Sequence, residues 1–297
     1  MYDICGVGHI TLDKVITPGS VKYMPGGTSY YFSNAIRQMP LSYLLVTSLG
    51  KGEMHTVTEM RKQGIEINAY ESAYSVYFEN IYGDNVDERT QRVLRKADPF
   101  LNEQLHGIKA RIFHLGPLLA DDMAPEFIQE LSLRGQVSLD VQGFLRTVAH
   151  LNVVLTDWPA KMQTLPYISM LKANDQEMEM ITGLRDVRAG ARQLFEWGVK
   201  EVIITLGSKG SVIYTGGIFY DIPVFVPANI ADTTGCGDTY MAGYLSQRIL
   251  GKGPQEAGEF ASAMAALKIE TYGPFTGSPE QVKHFMQRQS VSGLTTK

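Results

Sequence analysis

Asp232-Thr-Thr-Gly-Cys-Gly-Asp-Thr-Tyr-Met-Ala-Gly-Tyr-Leu245 sets two glycines around one small residue, an aspartate directly after them, and then an apolar run of helical spacing. Backbone stripped of side chains at a helix start presents unbonded N–H groups and the positive end of the helix dipole to one spot. Such a spot seats phosphate-like anions. A carboxylate beside the seat repels an anion, so binding alone gives no reason for Asp238. A reason exists if Asp238 takes the proton from a hydroxyl that attacks the seated phosphoryl group. The N–H groups around Gly235, Cys236 and Gly237 then hold the transferring oxygens. Taken alone, Asp238 also suits a helix N-cap, although a cap needs no Gly-Cys-Gly before it.

Outward from this segment, short apolar runs alternate with helix-length stretches. Strands are expected at 2–7, 43–48, 111–115, 136–140, 152–155, 168–172 and 201–206, several of them apolar on both faces as buried parallel strands are. Helices are expected at 28–38, 52–63, 124–134, 176–182, 187–197, 238–250 and 254–270. The alternation predicts an α/β fold: a doubly wound, mostly parallel sheet with helices on both faces. Residues from about Thr11 to Tyr23 and from about Glu66 to Lys96 break the pattern and read as a small projecting β-sheet or an edge hairpin, with Gly83-Asp84-Asn85 as a turn. The tail after Gln289 reads as frayed. All 297 residues are expected to form one domain.

Other constellations cluster around loops. Pro25-Gly26-Gly27-Thr28-Ser29 permits close backbone approach to a ligand or a simple turn before a helix. Asn174 and Glu177, three apart at a helix start, share a face at the carboxyl edge of the sheet, where they order water around Mg²⁺ or form a cap with a solvated Glu. Thr205-Leu206-Gly207-Ser208-Lys209-Gly210 suits a loop beneath a nucleotide and equally a hairpin turn. Arg89, Arg92, Arg95 and Lys96 form a basic run, read as a solvated face or as lid arginines reaching substrate. Gly6-Val7-Gly8 lacks the third glycine of a dinucleotide fingerprint, Thr11 standing there, and no P-loop occurs.

Composition narrows the class. A net charge of −4 argues against non-specific nucleic-acid binding. Two cysteines, Cys5 and Cys236, make no disulfide framework, and the histidines have no metal spacing. The start lacks a basic n-region, and no apolar run approaches the ~18 residues of a membrane span. A reduced, cytoplasmic, soluble protein without a membrane or nucleic-acid partner is expected.

The order Gly26-Gly27, Asn174-x-x-Glu177, Thr205-x-Gly207-x-x-Gly210 and Asp232-Thr-Thr-Gly-Cys-Gly-Asp238 resembles the PfkB (ribokinase-like) carbohydrate kinases over nearly the whole chain. The resemblance implies a ribokinase-like fold with a β-sheet lid, and transfer of the ATP γ-phosphate to a hydroxyl of a sugar, polyol or nucleoside. It implies Asp238 as base, 235–237 as anion hole, Asn174 and Glu177 as organisers of Mg²⁺-bound water, and Thr205, Gly207 and Gly210 beside the nucleotide. Asp13, Gly26, Gly27 and Tyr31 fall on the acceptor side. Asp232 and Thr234 fall where many members bind a monovalent cation such as K⁺; alternatively, Asp232 braces the loop. Lid pairing in several relatives implies a homodimer. Tyr31 replaces an Asn common in ribose-phosphorylating members, and Cys236 replaces a usual Ala. Asp140-Val-Gln142 is similar to inositol-kinase-like members, which favours a polyol or cyclitol near Gln142 or Arg146. A phosphosugar held by Arg89 or Arg92, and a weakly catalytic sugar- or nucleotide-sensing protein, are the alternatives.

Overall fold

The computed structural model describes residues 1–82 and 89–292, so the expected Gly83-Asp84-Asn85 turn and the last five residues of the tail lie outside the described residues. The chain clusters into two compact units, residues 1–30 with 43–169 and residues 31–42 with 170–297.

In the first unit, β1 (Tyr2–Val7), β2 (Thr11–Thr17) and β3 (Ser20–Gly26) lead into α1 (Thr28–Ile36), whose later turns belong to the second unit. There follow β4 (Tyr43–Gly50), α2 (Met54–Lys62), β5 (Glu66–Ser72), β6 (Val76–Tyr82), β7 (Arg89–Arg95), β8 (Ala110–Leu115), α3 (Pro125–Ser132), β9 (Gln136–Asp140), β10 (Arg146–Ala149), β11 (Asn152–Leu155) and α4 (Lys161–Thr164). Strands β9-β8-β1-β4-β5 pair side by side, all parallel. Strand β4 is buried along its whole length, in keeping with its apolar run from Tyr43 to Val46. Winding proceeds from β1 outward to β5 and then resumes at β8 on the other flank of β1. Ligands of open α/β sheets bind beyond the carboxyl ends of the strands at such a reversal.

A second sheet in this unit has the order β10-β11-β7-β6-β2-β3. Val76, Phe78 and Val93 on it pack against Leu118 and Leu119, and burying each such side chain contributes about 1.5–3 kcal/mol. It corrects the expected lid segments in two ways. Residues 66–72 pair with β4 in the parallel layer instead, because their alternating burial suits a strand at its edge. Strand β11, expected in the parallel sheet, joins the second sheet through a hairpin with β10. That hairpin turns on His150 and Leu151, both at positive φ, 49° and 68°. Such turns match the strand twist but normally draw Asn or Gly.

The second unit holds β12 (Met170–Asn174), α5 (Asp175–Thr182), α6 (Val187–Glu196), β13 (Glu201–Thr205), β14 (Ser211–Thr215), β15 (Ile218–Ile222), α7 (Cys236–Ile249), α8 (Pro254–Ile269) and α9 (Pro279–Ser292). Strands β12 and β13 are parallel, and β13, β14 and β15 are antiparallel in turn. Helix α9 was not anticipated, and it carries the chain past Gln289 where fraying was expected. Helices α7 and α8 approach closely at Gly243, where an added Cβ would stand 3.1 Å from the Ala261 Cα. Among the described residues no helix is long and apolar enough to cross a membrane.

Candidate active site

Gly235 is the N-cap of α7 and sits at φ 76°, ψ 10°, a left-handed conformation that only glycine adopts without strain. Asp238 is the third residue of the helix, not its cap, and the cap makes no side-chain hydrogen bond. The first ladder bond is Thr239 N–H to the Gly235 carbonyl at 2.9 Å, seconded by Thr239 Oγ1 at 2.8 Å. The N–H groups ahead of it have no partner inside the helix. One is used locally: Cys236 N–H donates to the Thr233 carbonyl at 3.3 Å. Helix α7 is anchored below this turn. Tyr240 Oη meets Ser211 Oγ at 2.7 Å, and Tyr244 Oη donates to Glu201 Oε1 at 2.7 Å, with Arg248 on the same carboxylate. Burial pushes the Cys236 thiol up to about 12, against the pull of Lys268 and with help from Asp232 and Asp238.

The loop before α7 is held from behind. Asp232 Oδ1 accepts from Thr234 N–H at 2.9 Å, which turns the chain towards Gly235. Ile269 at the end of α8 accepts from both Ala231 and Asp232 N–H, at 2.9 and 3.2 Å. Lys268 Nζ, with its residue fully buried, donates to the Asp232 carbonyl at 2.8 Å and to Asp232 Oδ2 at 3.0 Å. Burial raises the Asp232 carboxyl, but hydrogen bonds from Thr234 and the Lys268 ammonium outweigh it and hold the group below the usual range. Tyr31, assigned to substrate from the sequence, is buried, with its ring against Gly235 and its centroid 5.9 Å from Lys268 Nζ. The oxygens that the sequence reading offers to a monovalent cation thus already face an ammonium, and Asp232 with Thr234 does not fit a free K⁺ here.

Asn174 and Glu177 form a reciprocal cap on α5. Asn174 Oδ1 accepts from Glu177 N–H at 2.7 Å, and Glu177 Oε2 accepts from Asn174 N–H at 2.8 Å. Glu177 is buried, not solvated, and Lys172 Nζ stands 4.0 Å from its Oε2. The same Nζ lies 3.1 Å from where a Cβ on Gly237 would be, so a buried lysine borders the first turn of α7. Lys172 escaped the sequence reading because it sits inside an apolar strand, flanked by Leu171 and Ala173. Asn174 and Thr205 are register partners at the carboxyl ends of β12 and β13. The loop after Thr205 is a hairpin turn: Leu206 N–H donates to Gly210 O at 2.8 Å, and an added Cβ on Gly210 would overlap the Ile222 carbonyl. Gly207, at the tip, has open space around it. Among the described residues no three His, Cys, Asp or Glu converge on a metal. The Asn174–Glu177 pair, engaged in its own cap, would suit Mg²⁺ only as a donor-borne ion held mainly by phosphate and water.

The acceptor-side candidates belong to the first unit. Asp13 on β2 accepts from Thr11 Oγ1 at 2.6 Å. A Cβ on Gly26 would come within 2.5 Å of Asp13 Oδ2, so Gly26 leaves room for that carboxylate. Gly27 turns at φ 87° into α1. Gln142 follows β9 in a short 3-10 turn, its N–H donating to Asp140 Oδ1 at 3.1 Å. Arg89 opens β7 opposite Tyr82. The basic run is otherwise paired: Glu79 takes Arg92 and Lys14, each at 2.9 Å, Arg95 covers the Tyr74 ring, and Lys96 meets Asp121.

Residues 7–281 match the model of the pfkB family carbohydrate kinases. A cytidine kinase of Thermococcus kodakarensis is 24% identical over 283 residues, covering 93% of this chain and 99% of that protein. A ribokinase of Arabidopsis thaliana is 31% identical over 131 residues, 42% of this chain and 35% of its own. Among solved structures, a pyrophosphate-dependent kinase in the ribokinase family superposes with a TM-score of 0.85 at 25% identity, covering 94% of this chain and 99% of that one. Arabidopsis thaliana ribokinase complexed with ribose and ATP superposes at 0.79 with 18% identity, covering 96% and 99%. The fold is therefore ribokinase-like, a mixed α/β architecture with a large, mostly parallel sheet, and the chain belongs to the PfkB family of carbohydrate kinases.

Proposed function

We propose that this kinase transfers the γ-phosphoryl group of ATP to a hydroxyl of a sugar or polyol, with a cyclitol favoured. The observation that carries the reading is the position of Asp238: in the first turn of α7, just past left-handed Gly235, with the cap position left to glycine. A carboxylate there accepts the proton of the attacking hydroxyl, while the N–H groups of Gly235 and Gly237 and the buried Lys172 ammonium balance the charge on the transferring oxygens. Because the transition state is loose, the base needs position more than a raised pKa. Asn174 and Glu177 orient the water around Mg²⁺, which neutralises phosphate charge when bound with the donor, and the Thr205–Gly210 turn supports the nucleotide. Asp13 and Gln142 hold acceptor hydroxyls, with the second sheet as lid. Val21 and Tyr23, exposed on edge strand β3, support a homodimer through it, and two free cysteines support a reducing cytoplasmic setting.

Pyrophosphate is the second donor reading. It is favoured by the TM-score of 0.85 to a pyrophosphate-dependent kinase complexed with a pyrophosphate analog and myo-inositol, against 0.79 for the ATP complex of ribokinase. A matrix of ATP and pyrophosphate against free sugars, polyols including myo-inositol, nucleosides and phosphosugars tests both. Transfer from ATP to a cyclitol or polyol is expected. Transfer from pyrophosphate alone replaces the donor, and a strict preference for phosphosugars moves the acceptor site towards Arg89. Tight ligand binding without transfer overturns the enzyme reading.

A further inference from the structure

Lys268 is a fully buried ammonium in the last turn of α8. Its Nζ bonds to two oxygens of a single residue, the carbonyl and Oδ2 of Asp232, at 2.8 and 3.0 Å. That residue opens the anion loop, six positions before Asp238. The carboxylate is gripped from other sides by Thr234 N–H at 2.9 Å and Gly273 N–H at 3.3 Å. The negative end of the α8 dipole favours a cation at this point. Tyr31, whose ring centroid is 5.9 Å from Lys268 Nζ and whose ring also lies against Gly235, extends the contact to the cap of α7. A carbonyl, a carboxylate and an aromatic face around one positive charge make the surroundings of a bound monovalent cation. Here the charge is covalently part of the chain.

We infer that Lys268 is a built-in cation that positions the anion loop, so that this protein works without K⁺ or any other dissociable monovalent cation. Lys268 acts through Asp232 and is a positioning residue; the catalytic consequence rests on the kinase reading above. A tethered ammonium keeps its place at any salt composition, whereas a free ion would have to displace it from both Asp232 oxygens.

The test compares wild type, Lys268→Met and Lys268→Arg in potassium, ammonium and tetramethylammonium chloride at equal ionic strength. Two readouts are taken: turnover with the best donor–acceptor pair, and melting temperature without substrates. Wild type is expected to give the same turnover and melting temperature in all three salts. Lys268→Met is expected to lose at least tenfold in kcat in tetramethylammonium, with acceptor KM little changed. Potassium or ammonium should restore part of that loss and raise the melting temperature. Activation of wild type several-fold by potassium overturns the inference, as does a Lys268→Met variant with wild-type kcat in tetramethylammonium. If Lys268→Met does not fold, the wild-type comparison and Lys268→Arg decide, the latter being expected to remain indifferent to potassium. Should no donor–acceptor pair turn over, the kinase reading fails while the melting-temperature arm still judges Lys268. A potassium-specific rise in the wild-type melting temperature then sinks the inference.

Discussion

The Tyr31 ring occupies the space that a side chain on Gly235 would need. Gly235 also holds a positive φ, 76°, at the cap of α7. Gly235→Ala is therefore expected to cost about 1–3 kcal/mol in stability from strain and overlap. It should also displace the anion turn, lowering kcat by about 100-fold or more, the scale of losing one oxyanion donor. Calorimetry and steady-state kinetics check the two effects separately; near-native turnover in a folded variant would count against the anion-seat reading.

Asp238 is partly buried and makes no cap. Asp238→Asn should leave the melting temperature and donor affinity near wild type while kcat falls about 10²–10⁴-fold, the contribution of a positioned general base. Isothermal titration with donor and initial-rate measurements settle it. Retained turnover on the preferred acceptor would transfer the role of base to another residue.

Asp232 titrates below the ordinary carboxylate range because the Thr234 and Lys268 hydrogen bonds exceed the opposing effect of burial. A carboxyl depressed in the folded state stabilises the fold above its unfolded pKa, about 3.9, and loses that contribution as pH falls through the lower folded value. At neutral pH, Asp232→Asn leaves the buried Lys268 charge without its counterion, a cost of about 3–5 kcal/mol. The stability gap between wild type and variant should be widest near neutrality and shrink below about pH 4. Denaturant unfolding curves across pH measure it, and a gap that stayed constant through pH 3 would contradict the pairing.

The β10–β11 hairpin places His150 and Leu151 at positive φ, where neither has a steric preference to be. Replacing the pair by Asn-Gly should raise stability by about 1–2 kcal/mol, the usual penalty of a left-handed non-glycine residue. A melting temperature that fell instead would show that the two side chains contribute more than their backbone costs.

Chemistry read from Asp232–Leu245 was local, and local patterns survive without coordinates. A Gly-Cys-Gly-Asp turn before an apolar-periodic run specifies a helix start with a carboxylate in its first turn, and the structure has both. The same holds for the mainly apolar strands, such as β4 from Tyr43 to Val46, whose composition follows from burial on both faces. What tertiary structure decided was which side chains from distant elements meet. Lys172 and Lys268 are ordinary lysines in sequence, one within a strand and one in a helix, yet the fold buries both beside the 232–237 loop. The ring of Tyr31 packs against Gly235, a contact that no local pattern in the sequence signals. Strand β11 joined the second sheet through a turn whose residues give no turn signal, because pairing with β7 outweighs local preference. A sequence states each residue's chemistry, but charge pairing, burial and backbone approach depend on distances between segments far apart in the chain, and packing sets those.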